Sequence, residues 1–465
     1  MCAVHRYQRF GTAVVAAILA AASVTSRLGA QQPATAASTP SAVITFDQAL
    51  KLALTQNTGI KQAQNTAALN SAAVAQSKLA FLPNLSISAN TGQTYGNSFN
   101  TTDGTLASTT TNTLNAGLSS SVTLFDGMRN VANLKSAQLG ERAGEQDLTR
   151  AKQTAVFTVA SNFLSLVTQQ QQLAVQRQNL AAQEALENQI SQFVKAGSRP
   201  VSDLYQQQAS VASARAGVVT SQNAVELAKV DLIQTLQLNP RGTYDFQAPA
   251  MPNASAASAS FSLDSLLDRA FAQRPDLGAN ASRVDAAQQD VKAASASKWP
   301  TISLTGGYSS GVSSANDASF LDQLNQRRGG SVGIGISIPL FDRGATQAAT
   351  QRAQIQADNA QLALETQRQQ VALEVRRAYL DYEAAGQQLA AADAQEKAAT
   401  LATTTTQQRY QVGAATLVEL TQARATQLQA QSAVINASNN LVFQQSLMSY
   451  YTGELNPAAS LALPQ

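Results

Sequence analysis

Alternating apolar and polar residues mark four short segments that we predict to be β-strands. In the first, Leu85, Ile87 and Ala89 alternate with serine and asparagine, a period of two that places the apolar side chains on one face. The strands form two pairs, residues 83–91 with 114–125 and residues 300–308 with 331–341. Each strand is about as long as a tilted strand that crosses a bilayer, roughly 9 to 11 residues.

A helical spacing replaces this alternation in the longest proline-free stretches. From Gly127 to about Lys195 helix formers dominate, and a helix of that length extends roughly 100 Å. Elsewhere apolar residues recur three and four positions apart, as in coiled coils, at Val371, Val375, Ala378, Tyr382, Ala385 and Leu389. These alanine-rich seams predict long helical hairpins packed in a ring, although a fibrous stalk would explain the helical segments taken alone.

The chain contains an internal duplication. Thr45–Asn57 is similar to Ser262–Arg274 at an offset of 217 residues, and Leu124-Phe125-Asp126 recurs as Leu340-Phe341-Asp342 at an offset of 216. A nearly constant offset over most of the chain indicates two structural repeats. We predict the first over residues 31–238 and the second over 262–455, each with a helix, a strand pair and a helical hairpin, followed by a tail at 456–465.

Residues 239–261 separate the two repeats. Pro240, Gly242, Pro249 and Pro252 end the helical pattern there, as proline and glycine commonly do. A flexible linker between independent domains is one interpretation. We expect instead a structured crossover in the equatorial region of a single object, because neither repeat can bury its own seams.

The first thirty residues have the layout of a secretory signal peptide. Arg6 and Arg9 precede an apolar run that is too short to span a membrane, and small residues follow up to Ala30. We predict export and removal of residues 1–30, with Ser26 as the alternative cleavage site. The 32 basic and 29 acidic residues then become 29 and 29, and a neutral mature chain gives no support for binding to nucleic acid.

The mature chain lacks the side chains that most catalytic and metal sites need. The only cysteine, Cys2, and the only histidine, His5, lie in the predicted signal peptide. This excludes a disulfide, a thiolate nucleophile, a Ser-His-Asp triad and a His or Cys metal site. Carboxylate pairs would need a desolvated pocket, and aromatic residues make up only 5% of the chain. We predict a protein that is not an enzyme, without cofactor or metal.

An aromatic residue stands at the same end of each predicted strand. We interpret these residues as a girdle at a membrane interface: Phe81, Phe125, Trp299 and Phe341. The opposite ends are joined by polar segments, residues 92–113 and 309–328, which we predict to be long external loops. A soluble sheet packed on a helix would show the same alternation and is the alternative.

The number of strands predicts an oligomer. An open sheet edge in lipid leaves backbone amides unpaired, and even the smallest barrels have about eight strands. Four strands therefore cannot close alone, whereas a dimer or a trimer would supply eight or twelve.

Residue types at the helix ends fit the predicted hairpins. Asp126 and Asp342 follow the second strand of each pair, and we expect them to be helix N-caps. Each hairpin reverses at a glycine suited to a left-handed C-cap, and an acid follows near the start of the returning helix, where the helix dipole favours it. These residues are Gly197 with Asp203, and Gly413 with Glu419.

The chain resembles the TolC-like outer-membrane efflux proteins over nearly all of its mature length. Arg409–Leu455 is similar to the second tip and returning helix of that family, and FDG at 125–127 and FDRG at 341–344 are similar to its strand-to-helix turns. The resemblance implies a mainly α fold with a small β part, four strands and two long hairpins per chain. It also implies a homotrimer, with a twelve-stranded outer-membrane β-barrel continued across the periplasm by a twelve-helix coiled-coil α-barrel.

The resemblance further implies partners and a gate. The partners are outer-membrane lipid, a periplasmic adaptor protein that docks near Gly197 and Gly413, and an inner-membrane transporter. In the family the tips close the tunnel, and Tyr410 matches the gate tyrosine, Asp203 its partner acid and Glu419 an acidic ring that binds cations. The gate arginine is replaced by Ala415 and the second acid of the ring by Gln422. Arg199 is the candidate to replace that arginine.

Three functions fit these features. The first is the outer-membrane channel of a tripartite efflux pump, a passive gated duct for small molecules or drugs. The second is the outer-membrane channel of a type I protein secretion system, which has the same fold. The third belongs to another class, a surface stalk or adhesin without a pore.

Overall fold

A computed structural model describes residues 42–100, 104–247, 261–316 and 318–455. The predicted signal peptide (1–30), the predicted tail (456–465) and residues 248–260 of the predicted linker lie outside the described residues. The chain divides into two units between Ala42 and Val43, and every element below belongs to the second unit apart from one residue of the first strand. The described chain is mainly helical with a small β part, which confirms the predicted class.

Four helices of the first half correspond to four helices of the second half. The first half contains α1 (Phe46–Gln56), α2 (Thr58–Leu79), α3 (Arg129–Lys195) and α4 (Val201–Thr235). The second half contains α5 (Leu263–Gln273), α6 (Pro275–Ser295), α8 (Ala345–Gln411) and α9 (Leu417–Thr452). Their starts differ by 217 residues for the first two pairs and by 216 for the last two.

The long helices form two antiparallel hairpins. Both α3 and α8 have 67 residues, which corresponds to about 100 Å. Helix α4 returns along α3, α9 returns along α8, and α6 packs against both α3 and α8. In the part of the chain that the structure describes, no helix is both long enough and apolar enough to cross a membrane.

The predicted seam is buried where the hairpins meet the short helices. Val371, Val375, Ala378 and Ala385 of α8 are fully buried. Val371, Val375 and Ala385 pack in one apolar cluster with Leu266 and Leu277 of α5 and α6 and with Met448 of α9. The spacing of three and four residues in the sequence therefore identified the face of α8 that its neighbours cover.

A second apolar cluster joins α1 and a two-stranded sheet to the first hairpin. The strand β1 (Ala42–Thr45) pairs with β4 (Tyr244–Gln247), so part of the predicted linker is ordered as a strand. Phe163 of α3 contacts Phe46 and Phe246 edge to face, with ring centroids 5.3 and 5.9 Å away. Such edge-to-face pairs stabilise a core beyond the area that they bury.

The main sheet has one apolar and one small polar face. It contains β2 (Asn84–Asn100), β3 (Thr105–Phe125), β5 (Thr301–Ser313) and β6 (Gly329–Ser337), antiparallel and in this order. Ile87 pairs with Leu118 and Leu118 with Tyr308, so these side chains share a face. Ser88, Gly117 and Ser309 are aligned on the other face. Strands β2 and β6 are the edges of this sheet.

The prediction of a polar loop at residues 92–113 was wrong. Strands β2 and β3 pair without interruption as far as Asn100 and Thr105. The prediction depended on apolar alternation, whereas this part is rich in threonine, whose β-branched side chain favours strands. Thr94–Asn100 and Thr105–Thr111 pair only with each other and form a two-stranded ribbon beyond the rest of the sheet.

The second predicted loop, residues 309–328, is also partly ordered. It contains the end of β5 and a short helix, α7 (Phe320–Gln326). Strand β6 ends at Ser337, before the predicted limit of 341. Ile338 and Leu340 continue the apolar alternation there, but they follow the last residue that pairs with β5.

The strand-to-helix turns place the N-caps two residues later than predicted. The N-cap of α3 is Met128 and that of α8 is Gly344, not Asp126 and Asp342. Both turns contain two successive left-handed residues, which moves the helix start along the chain. The aspartates still accept first-turn amides: Asp126 Oδ2 accepts from Asn130 N at 3.0 Å, and Asp342 Oδ2 from Thr346 N at 2.7 Å.

A buried ionic cluster connects both halves, and we call it the Arg274 cluster. Arg274, at the junction of α5 and α6, donates to Asp276 Oδ2 and to Glu374 Oε2 of α8, each at 2.6 Å. Arg150 of α3 lies 3.9 Å from Asp276 Oδ2, and its guanidinium carbon lies 4.0 Å from the ring centroid of Tyr450 in α9. The cluster therefore joins α3, α6, α8 and α9.

Candidate functional site

The hairpin tips carry half of the predicted site residues, and each tip turns at its glycine. Gly197 and Gly413 have φ angles of 73° and 79°, a region in which glycine avoids the steric penalty of a side chain. In the first tip Ser198 N donates to Phe193 O at 2.9 Å, and in the second Ala414 N donates to Arg409 O at 2.8 Å. These bonds satisfy the carbonyl groups at the helix end.

Arg199 of the first tip binds Tyr410 of the second tip. Arg199 Nη2 donates to the backbone oxygen of Tyr410 at 3.2 Å, and the guanidinium carbon lies 4.6 Å from the centroid of the tyrosine ring. A guanidinium over an aromatic face contributes about 0.5 to 2 kcal/mol, more as the pair is desolvated. Arg199 therefore connects the two tips within one chain.

An apolar cluster beneath this pair holds the tips together. Leu186 and Ile190 of α3 pack with Tyr410 of α8 and with Leu417 and Leu420 of α9. Ala415, which stands where the resemblance expects an arginine, is buried in the same cluster. A side chain at this position faces apolar neighbours, and the guanidinium that contacts Tyr410 comes from Arg199 of the other hairpin.

The hydroxyl group of Tyr410 is buried and makes no hydrogen bond within the described residues. The residue is 1% exposed, and its hydroxyl oxygen has no hydrogen-bond partner among the described residues. Burial raises the pKa of Tyr410, the Arg199 charge opposes this shift, and the Asp203 carboxylate adds to it. The hydroxyl therefore stays protonated at neutral pH and keeps a proton to donate.

The four predicted gate residues form one pair and two flanking acids. Asp203, in the first turn of α4, influences Tyr410 through its charge, and no hydrogen bond between these two side chains is present in the described chain. Glu419 lies in the first turn of α9, where Thr416 is the N-cap. Its carboxylate pairs with Arg409 at 3.9 Å, with both side chains about half exposed, so that ion pair contributes little to stability.

Two polar contacts near the tips were missed by the sequence analysis. Gln207 of α4 is fully buried and donates to Gln183 of α3, at 2.8 Å to its side chain and 2.9 Å to its backbone oxygen. Arg424 of α9 donates to Ala182 O of α3 at 3.0 Å and to Gln407 of α8 at 3.2 Å. Glutamine is common on every face of these helices, so neither its frequency nor its spacing indicated burial.

The four predicted girdle aromatics lie beyond the same end of the main sheet. Phe81 precedes β2, Phe125 ends β3, Trp299 precedes β5 and Phe341 follows β6. All four are exposed on the single chain, from 37% for Phe125 to 86% for Phe341. The apolar face above them is also exposed, with Ile87 and Val332 each at 83%. Such a large exposed apolar surface indicates contact with lipid or with another chain.

Comparison with protein families gives a match over most of the chain. A family described as "Outer membrane efflux protein" matches residues 49–236 and 266–452. The two matched segments coincide with the two halves of the structure, which start 217 residues apart.

Known proteins resemble the chain in sequence and in fold. The outer membrane efflux protein BepC of Brucella suis is 25% identical over 428 residues, 89% of this chain and 88% of BepC. The pyoverdine export outer membrane protein OpmQ of Pseudomonas aeruginosa is 27% identical over 342 residues, 72% of this chain and 68% of OpmQ. The crystal structure of the outer membrane protein VceC of Vibrio cholerae matches with a TM-score of 0.75 and 18% identity, over 88% of this chain and 96% of VceC.

Proposed function

We propose, since this chain belongs to the outer membrane efflux protein family, that it forms the outer-membrane channel of a tripartite efflux pump. The channel is a homotrimer and a passive, gated duct for small molecules, from the periplasm to the exterior. One relative is named for the export of pyoverdine, which supports a small-molecule cargo. The chain contributes no catalytic step to export.

The two-faced sheet is the observation that carries this proposal. Its apolar face is exposed, its other face is lined by serine, threonine and glycine, and β2 and β6 have free edges. In lipid those edges must pair, and β6 of one chain can pair with β2 of the next. Three chains then give twelve strands, a barrel with apolar residues towards lipid and small polar residues towards a lumen.

The helical hairpins extend the duct. Each chain supplies α3, α4, α8 and α9, so three chains supply twelve helices, the longest about 100 Å. Asp126 and Asp342 turn the chain from strand to helix at the end of the sheet that carries the four exposed aromatics. We place those aromatics at the periplasmic interface of the outer membrane and the hairpin tips at the far end of the duct.

Channel formation is tested on the purified full-length protein. In detergent we expect a trimer by light scattering, and in planar bilayers we expect discrete single-channel conductance. A monomer that produces no conductance steps would overturn the proposed function and favour the surface stalk or adhesin.

Arg199, Tyr410 and Asp203 form the gate in this proposal. The arginine fixes the two tips of one chain to each other. The tyrosine hydroxyl is enclosed in the single chain, so in this proposal the tips rearrange on assembly before it reaches an acceptor on a neighbouring tip. Glu419 forms the acidic ring at the same level. Loss of the Arg199 contact frees the first tip to separate from the second, so the resting channel opens.

Conductance of tip variants tests the gate. We expect Arg199→Gln and Asp203→Ala to raise the closed-state conductance several-fold. The matched control is Arg215→Gln, which removes an arginine of the same hairpin whose partner is the exposed Glu184. Closed-state conductance that is unchanged in both tip variants would contradict this gate while leaving the channel itself established.

The tips are also the proposed docking site for a periplasmic adaptor, which connects the channel to an inner-membrane transporter. The surfaces beside Gly197 and Gly413 are exposed at the ends of the two hairpins. Cysteines introduced at the exposed Lys195 and Val412 should crosslink to the adaptor in whole cells. Crosslinks that capture only other channel subunits would count against docking at the tips.

A further inference from the structure

The two strand pairs of the main sheet, with the segment that joins the two strands of each pair, contain one pair of basic residues. Between Pro83 and Phe125, and again between Pro300 and Phe341, the only lysines or arginines are Arg327 and Arg328. They directly precede β6, whose first residue, Gly329, pairs with Ser309 of β5. The pair therefore lies at the end of the four-stranded region opposite to the exposed aromatics Phe81, Phe125, Trp299 and Phe341.

The distance between these two ends matches the thickness of a membrane. Trp299 lies nine residues before Tyr308 in the sequence, about 30 Å along an extended strand. With a strand tilt of roughly 40°, the height is about 23 Å, close to the apolar band of about 25 Å on transmembrane barrels. If the aromatics mark the periplasmic interface, Tyr308, Arg327 and Arg328 lie at the outer headgroups.

Helix α7 is held firmly beside the arginines. Gln323 is 3% exposed, and its side chain accepts from Ser313 N at 2.8 Å and donates to Asn316 O and Ala318 O, each at 2.9 Å. Ser310 is on the apolar face of β5, because it pairs with Ala116, and its hydroxyl donates to Leu324 O at 2.6 Å. The helix thus covers the edge of β5 beyond the end of β6.

The exposed side chains of α7 suit a lipid surface. Phe320 and Leu321 are 49% and 74% exposed, and the arginines that follow the helix are exposed as well. Within the described residues no ion pair joins either arginine to a carboxylate. The carboxylate of Asp322, the acid of α7, accepts from the Ser319 hydroxyl at 2.5 Å.

We infer that α7 and the pair Arg327 and Arg328 form a binding site for the phosphate groups of outer-leaflet lipid. Phe320 and Leu321 lie among the upper acyl chains, and the two guanidinium groups bind the phosphates above them, for which the planar arginine fork is well suited. The site continues the apolar face of Tyr308 and Leu304 to the headgroup level. This inference rests on the proposed outer-membrane barrel.

Lipid binding by charge variants tests the site. Native mass spectrometry of the full-length trimer in neutral detergent would measure binding of bisphosphorylated lipid A, with dephosphorylated lipid A as the second ligand. We expect R327Q/R328Q to bind the bisphosphorylated lipid about 25-fold more weakly, since each arginine near a lipid surface contributes about fivefold. R327K/R328K should retain most of the affinity, and binding of dephosphorylated lipid should not change.

Arg376 and Arg377 provide the matched control, because they are an adjacent exposed arginine pair on α8, far from the sheet. R376Q/R377Q should bind like the wild type. Equal lipid affinity in R327Q/R328Q and R376Q/R377Q would overturn the site. If R327Q/R328Q does not form trimers, the wild type alone tests the site. Its affinity for bisphosphorylated lipid A must then fall several-fold between about 0.05 and 0.5 M NaCl. Wild-type conductance without this lipid preference refutes only the lipid site, whereas absent conductance refutes the channel.

Discussion

At the scale of single residues, Tyr410 has a well-packed ring and a hydroxyl group that lacks a hydrogen-bond partner in the described chain. Its ring contacts the Arg199 guanidinium and an apolar cluster from three helices, yet its hydroxyl has no acceptor among the described residues. A buried polar group without a partner costs about 1 to 3 kcal/mol. The hydroxyl is enclosed by its own chain, so a neighbouring subunit can supply the acceptor only after the tips rearrange on assembly.

We expect Tyr410→Phe to separate folding from closure. Phenylalanine keeps the ring and its contact with Arg199 and removes a buried hydroxyl without a partner in the described chain, so the free energy of unfolding should not fall and should rise by about 1 kcal/mol or more. The closed-state conductance should rise, because the contact between subunits is lost. Thermal unfolding in detergent and planar-bilayer recording measure the two effects. Large destabilisation with normal closure would show that the hydroxyl acts within the chain.

At the scale of elements, both strand-to-helix turns need two successive left-handed residues, but glycine occupies the first of these positions in one turn and the second in the other. Gly127 and Met128 are the left-handed residues before α3, and Arg343 and Gly344 are those before α8, with φ angles from 56° to 79°. A β-carbon on Gly127 would lie 2.6 Å from Ala296 O and 2.8 Å from Trp299 Cβ, whereas one on Gly344 would meet nothing within 4 Å. The glycine of the first turn is needed for space as well as for backbone conformation.

Gly127→Ala should therefore be more harmful than Gly344→Ala. Both substitutions force alanine into the left-handed region, at about 1 kcal/mol. Only the first also displaces Trp299 and the short turn before β5, so we expect its cost to be about 3 kcal/mol or more. Thermal unfolding midpoints of the two variants provide the comparison. Equal midpoints would mean that the backbone around Trp299 yields easily.

The sequence predicted elements well where one local signal dominated. The two long helices follow from uninterrupted helix formers, and the turns at Gly197 and Gly413 from glycine followed by an acid. The strand ends were missed because threonine-rich segments such as Thr105–Thr111 lack apolar alternation and are held by backbone pairing. The N-caps were misplaced by two residues because left-handed conformation at Met128 and Arg343 has no signal in residue type.

The candidate site was predictable only in part. The structure brings Arg199 into contact with Tyr410, and Asp203 acts on Tyr410 through its charge. Glu419, expected in a separate acidic ring, pairs with Arg409. Contacts between residues more than 200 positions apart depend on how two hairpins pack. No local pattern records that packing, which is also why the Arg274 cluster was not found.

For the whole molecule, the Arg274 cluster makes stability depend on pH. Burial alone would raise the pKa of Asp276, but hydrogen bonds and charge from Arg274 outweigh it, with a further contribution from Arg150, so the pKa of the carboxyl is lowered. A carboxylate with a lowered pKa stabilises the fold above its unfolded pKa of about 3.9. This contribution is lost as the pH falls below about 4 towards the pKa of the folded state.

Asp276→Asn should test this dependence. We expect the variant to lose roughly 2 kcal/mol near pH 7 and to show a smaller further loss between about pH 5 and pH 3 than the wild type. Asp285→Asn, which alters an exposed carboxylate of the same helix, is the control. Thermal unfolding across this range measures both quantities. Parallel pH curves for Asp276→Asn and the wild type would exclude the cluster as the cause.

The length of the ribbon formed by Thr94–Asn100 and Thr105–Thr111 can change without affecting the rest of the fold. Its two arms pair only with each other. Removing or adding the same even number of residues in each arm preserves both the pairing register and the face of every side chain. The four-stranded region of the main sheet would not shift, and neither would the helices that follow it. Relatives should therefore differ in this segment by matched changes in both arms, and foreign peptides inserted there should leave assembly intact.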